Sequence, residues 1–148
     1  MEFLDGVCDV VGGLIQKTGL TLSWTFRFWR IPQVNKWRHF SDAEVSGLDT
    51  ELVAKLDMAR EKAGVPFIIT SGLRTVEQNA ALSESVSDSA HLTGHAVDLA
   101  CTDSPARFAM VKSLLDVGFT RMGIYSAHLH VDNDLTKPQQ LLWYVAGT

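Results

Sequence analysis

In the stretch SAHLTGHAVDLA, residues 89–100, a carboxylate stands in the middle of what otherwise reads as a buried strand, and this limits how the chain can fold more than any other feature. Side chains on a strand alternate with period two, so Val97 and Leu99 point to one face and Ala96, Asp98 and Ala100 to the other. Asp98 therefore sits on a face lined by small residues. An ionised carboxylate there is costly unless it is paired or bound to a cation, and the two alanines leave room for one.

The segment HLHV obeys the same logic. His128 and His130 share a face while Leu129 and Val131 turn to the core, so two imidazoles at i and i+2 converge on one point. His91 at the mouth of one strand, Asp98 within it and His130 on a neighbour are then candidate metal ligands. Two imidazoles and a carboxylate are a typical ligand set for catalytic zinc, which keeps its fourth position open for water. Mixed nitrogen and oxygen ligation also admits other first-row metals. By spacing alone, H-x6-D with a distant H-x-H serves equally well as a group of hydrogen-bonding surface or core residues.

With 148 residues, 46% of them apolar, the chain can bury one sizeable core. Thirteen Lys and Arg stand against 17 Asp and Glu, with no run of like charge to track a phosphate backbone, so nucleic acid is not an expected partner. Cys8 and Cys101 match no CxxC pairing, and two free thiols are expected. Residues 1–35 read as an N-terminal extension packing on the domain or on a partner, and residues 36–148 as the domain itself. Glu2 and Asp5 argue against a signal peptide, and Asp9 interrupts an apolar run already too short to span a bilayer. Leu20, Leu22, Trp24, Phe26 and Phe28 alternate as on a strand. Membrane-surface contact through Trp24, Phe26, Phe28 and Trp29 beside Arg27 and Arg30 is the alternative use of this face.

Ser41 and Glu44 form a capping box, with Phe40 and Val45 as staple, that opens a short helix or turn. A longer helix is expected from about Asp49 to Ala63, with Leu52, Leu56, Ala59 and Ala63 on one face and Gly64 just past its end. PFIITSG reads as a strand, and Thr75 with Gln78 as a second capping box for a helix through about Leu82. HAVDLA is a strand. Ser104 as N-cap before Pro105 opens a helix with Phe108, Val111, Leu114 and Leu115 on its apolar face, stopped by Gly118. FTRMGIY and AHLHVD are adjacent antiparallel strands. The expected fold is α+β, a small, mainly antiparallel central sheet of three or four strands with flanking helices.

From Trp37 to Asp132, FIITSGLRT, SAHLTGHAVDLA, GFTRMGIY and HLHVD, in this order and spacing, resemble the zinc D-Ala-D-Ala peptidase family. That family includes D-Ala-D-Ala carboxypeptidases, D,D-dipeptidases and phage L-alanyl-D-glutamate endolysins, and shares its fold with the Hedgehog signalling domain. The resemblance implies that His91 and Asp98 bind zinc and that His130 completes the triad. It implies that His128 matches the residue some branches use opposite the metal as base or transition-state stabiliser. Arg74 matches the arginine that holds a substrate carboxylate or polarises the scissile carbonyl, and Ser89 a position that helps bind substrate. The sequence departs from the family in one place. Branches with a glutamate base carry it three residues before the last zinc histidine, where this chain has Ala127, so His128 is expected to take the role.

The resemblance thus implies a zinc metallopeptidase hydrolysing peptide bonds in peptidoglycan stem peptides, as a carboxypeptidase or an endolysin-type endopeptidase. The alternative is a zinc-containing cell-wall or protein binding module without turnover. Without a signal peptide, an enzyme made in the cytoplasm and acting on the cell wall, as a phage lysin or virion-borne enzyme does, is expected. Of the other polar residues, His95 is either a partner orienting Asp98 or an exposed turn residue. His39 reads as a surface residue, Asp132 as a group that orients His130 or ends a strand, and Tyr125 as cleft lining or packing.

Overall fold

The computed structural model describes residues 36–82 and 86–146; the N-terminal extension, with its alternating aromatic stretch, lies outside them. Helix α1 spans Thr50–Ala63. Asp49 caps it by accepting from the Leu52 amide, and Gly64 ends it in the left-handed conformation, as glycine does where a side chain would clash. Strand β1 (Ile69–Ser71) is followed by the short helix α2 (Val76–Ala80), opened by the Thr75/Gln78 capping box. A 3-10 turn (Ala90–Thr93) leads into β2 (Ala96–Ala100), and α3 (Ser104–Asp116) leads to β3 (Arg121–Ile124), β4 (His128–Asp132) and β5 (Leu141–Tyr144). Ser41 and Glu44 exchange their capping-box bonds, but residues 42–47 stay as turns.

The five strands order as β1-β2-β4-β3-β5. All neighbours are antiparallel except β3 and β5, because the chain leaves β4, passes β3 and pairs along its far side. The alternation reasoned from sequence divides this sheet into two faces. Val97, Leu99, Met122, Leu129 and Val131 turn to the core, where they meet Leu52, Val53 and Leu56 of α1 and Met110 and Leu114 of α3, with Phe40, Phe67 and Phe119 filling the edges. The other face of the same strands carries Asp98, His130 and His128. No helix among the described residues is long and apolar enough to cross a membrane.

Three local expectations are corrected. A fifth strand, LLWY, joins the sheet; as an edge strand of mostly exposed residues it carries no alternation to read. Asp103, rather than Ser104, caps α3, because its carboxylate reaches the Ala106 amide at 2.8 Å while Ser104 becomes the first helical residue. The buried stripe of α3 is Met110, Ser113 and Leu114, leaving Phe108 73% exposed and Leu115 also outside the core. Cys101 is buried and forms no disulfide.

One glycine has a steric reason that bears on the site. Gly94 ends the 3-10 turn at φ +73, and a β-carbon there would land on the Gly47 carbonyl oxygen. Gly94→Ala is therefore expected to destabilise the fold by about 2 kcal/mol or more, from left-handed strain plus the clash. A urea melt with an unchanged midpoint would show that the turn accommodates a side chain.

Candidate metal centre

Strand register brings the site together. Asp98 on β2 lies directly opposite His130 on β4, Ala100 opposite His128, and Ala96 opposite Asp132. Directly opposed residues project to the same face, so one row of β4 polar groups stands over the Ala96-Asp98-Ala100 row. On the other side of β2 the pairing with β1 is irregular between Ile69 and Ser71, which sets Ser71 against Asp98. Such a bulge bends the strand and re-aims the residues after it. Among these are Gly72, whose carbonyl accepts a bond from His91, and Arg74.

His91 reaches the site from the 3-10 turn, whose N-cap is Ser89 and whose C-cap is Gly94. The Arg74 amide donates to the His91 carbonyl at 3.0 Å and ties this turn to the end of β1. Asp98 Oδ1 stands 3.0 Å from His130 Nδ1 and 3.3 Å from His91 Nε2, and the two ring nitrogens are 3.2 Å apart. His128 Nε2 lies 4.0 Å from the same oxygen.

The protons on the two buried rings are set by their outer partners. His91 Nδ1 is 2.7 Å from the Gly72 carbonyl, which can only accept, so that nitrogen carries the hydrogen. His130 Nε2 lies 3.1 Å from Asp132 Oδ2, a buried carboxylate that also accepts from Arg121 Nε at 2.9 Å, so Nε2 donates there. In the neutral rings this leaves the lone pairs of His91 Nε2 and His130 Nδ1 facing Asp98 Oδ1. Three acceptors at hydrogen-bond distance with no hydrogen between them repel unless a positive charge sits among them. His91, Asp98 and His130 therefore form a group able to hold a metal ion, with the outer partners that fix tautomer and ring orientation already in place.

The remaining oxygen of Asp98 is held by Arg74, whose Nη2 lies 2.5 Å from Oδ2 while its Nε donates to Ser71 Oγ at 2.8 Å. When protons rather than a metal ion sit among these groups, burial alone would raise the Asp98 carboxyl, but the bonds from His130 and His91 and their charges outweigh it and hold it well below the usual carboxylate range. In the same protonated state burial would lower His130, and its bonds to Asp132 and Asp98 raise it instead. His128 is lowered, first by burial and then, against the opposing pull of Asp98, by the cationic groups around it. Its ring stacks on Tyr125 with centroids 4.3 Å apart and planes 12° from parallel.

These groups line a cleft of about 670 Å³, together with Ser89, Tyr125, Ala127 and Trp143. Ser89 Oγ accepts from the His91 amide at 3.4 Å, so it supports the turn as well as facing the cleft. Asp132 orients His130, the first of its two sequence readings. His95 bonds within its own turn to Thr93, the second of its two. His39 pairs with Glu61 on the surface of α1. Sequence reasoning missed Arg121 and Trp143. Arg121 shares a face with Gly123 by the same period-two rule that found Asp98, so the signal was present. Trp143 carried none, since it reaches His130, ring centroids 5.6 Å apart, only across Gly123, where a β-carbon would land in its indole.

Fold and site together define an α+β domain with two histidines and one aspartate, a group able to hold a metal ion, on the face of its sheet away from the core. The chain belongs to the peptidase M15 family, whose model matches residues 30–132, over two thirds of its length. The crystal structure of the Serratia marcescens L-Ala D-Glu endopeptidase ChiX is similar at a TM-score of 0.49 and 20% identity, over 70% of this chain and 92% of that one. No curated protein matches the chain.

Proposed function

We propose that this peptidase is zinc-dependent and hydrolyses a peptide bond in peptidoglycan stem peptides. The observation that carries the proposal is the donor triangle of His91, Asp98 and His130. Its edges of 3.0, 3.2 and 3.3 Å compare with about 3.3 Å between ligands held roughly 2.0–2.1 Å from a tetrahedral zinc. Neutral imidazoles and a carboxylate suit that ion. The residues fit the metal.

Zinc held there supplies Lewis acidity and an acidified water with a pKa of about 7. The protein's own groups do the rest. His128, fixed by its stacking on Tyr125 and kept neutral by the burial that lowers it, accepts the water's proton at Nε2 and returns it to the leaving amine, as an imidazole can. Ala127 has no group able to do so. Arg74 holds Oδ2 of Asp98, which leaves Oδ1 for the metal, and its guanidinium charge beside the site polarises the scissile carbonyl. Ser89 contributes to substrate binding at the cleft wall. Residues 1–35 act as an extension to this domain, and the enzyme works at the cell wall, as a phage lysin or virion-borne enzyme does.

Ala127 favours a second reading, a zinc-containing binding module without turnover. Release of free amino groups from purified peptidoglycan separates the two. Cleavage is expected, lost on chelation and restored by one equivalent of zinc, with the bond then identified by product mass. A protein that holds zinc yet releases nothing from several wall types would be the binding module.

A further inference from the structure

Three cations line the cleft: Arg74, Arg121 and Lys137. Two are committed. Arg74 is held by the buried Asp98, and Arg121 by the buried Asp132, with its guanidinium carbon also 4.9 Å from the centre of the Trp143 ring. Taking either buried carboxylate's partner away would leave a charge unpaired in a dry environment.

Lys137 differs. Its ammonium group is 2.8 Å from Asp88 Oδ2, and the side chains are 13% and 79% exposed, respectively. The cation is thus sheltered in the cleft wall while its partner stands in solvent, where an ion pair contributes little. A carboxylate entering the cleft can replace Asp88 without stranding a buried charge. The lysine is also well placed to wait, because its backbone is tied into a turn: its amide donates to the Asp134 carbonyl at 3.2 Å and its own carbonyl accepts from Gln139 at 2.8 Å. The cleft wall further holds Asn79, 4% exposed, whose Oδ1 has no hydrogen-bond partner among the described residues. Such an acceptor suits the N–H of a bound peptide. Lys137 lies beyond residues 30–132, outside the pattern that places the chain in its family.

We propose that Lys137 is the specificity-determining residue of the cleft: it takes a free carboxylate of an acidic peptide substrate, with Asp88 holding its place when the cleft is empty. This rests on the peptidase reading of the site and assigns carboxylate recognition to Lys137, leaving Arg74 to Asp98 and the scissile carbonyl.

The test uses the full-length, zinc-loaded chain carrying His128→Ala, so that binding is read without turnover. The probes are L-Ala-D-isoglutamyl-L-Lys, the same peptide with the glutamyl α-carboxylate amidated, and a third with the C-terminal carboxylate amidated. One of the two amidations is expected to weaken binding about 10-fold, the worth of one charge-assisted contact, and it identifies the carboxylate. In Lys137→Gln that preference disappears, and in Lys137→Arg it returns. Asp88→Asn, which removes the competitor, tightens the acidic peptide up to about fivefold. A preference that survives Lys137→Gln in a protein with an unchanged circular dichroism melt, or affinity indifferent to both amidations, would overturn the assignment. Failure of the peptidase reading looks different: no wall peptide is cleaved by the unmutated enzyme, yet the Lys137-dependent preference remains.

Discussion

Asp98→Ala is expected to yield a folded protein that no longer holds zinc and no longer cleaves its substrate. The change removes the oxygen on which both imidazole lone pairs converge and leaves two neutral ligands whose mutual distance no longer has a charge to anchor it. Metal affinity should fall by more than the ~100-fold typical of losing an outer partner, and activity by about 10⁴-fold, as when a group central to a catalytic unit is lost. The fold survives because Asp98 faces away from the core; its strand neighbours Val97 and Leu99 keep every apolar contact. Metal analysis, circular dichroism and peptide release on the same preparation check the three parts separately. Zinc retained at one equivalent with unchanged affinity would mean that the ion sits elsewhere.

His128→Ala should separate chemistry from metal binding. Zinc content is expected to stay at one equivalent, because His128 Nε2 stands 4.0 Å from Asp98 Oδ1, outside the donor triangle, and the three donors keep their own outer partners. The turnover number should fall by about 10²- to 10⁴-fold, the usual worth of a general acid–base group, with little change in KM. Its half-exposed ring leaves no cavity in the core, so stability is not expected to follow. Loss of zinc with activity would make His128 a ligand. Activity kept in full would place the base on another residue, and Tyr125, stacked against His128, is then the next to substitute.

How legible these residues were depends on the range of the interaction that sets each one. The capping boxes at Ser41 and Thr75 and the glycine stop at Gly64 act within four residues, and all three stand as read. Asp103 displaced Ser104 as cap of α3 because both residue types satisfy the rule and only the backbone path decides which oxygen reaches the free amides. The apolar face assigned to α3 held for Val111 and Leu114 but not for Phe108 and Leu115, because its sequence offers apolar residues on more than one side; which side is buried depends on where α1 and the sheet already stand. Strand β5 had no periodicity to show at all.

Asp98 and His130 were readable as candidates from strand alternation and small neighbours, and His91 from its place at the mouth of the strand; spacing alone left them equally open to a hydrogen-bonding role, and the family resemblance made them a ligand set. Sequence by itself thus determined which strand residues share a face, where α1 starts and stops and where α2 starts, and the family pattern carried by residues 37–132. Only the tertiary structure decided that Asp98 stands opposite His130, that the Gly72 carbonyl and Asp132 fix the two ring tautomers, and that Lys137 faces an exposed carboxylate while Arg74 and Arg121 face buried ones. The physical reason is that periodicity is a local property of the backbone, whereas register and burial are set by contacts between segments far apart in the chain.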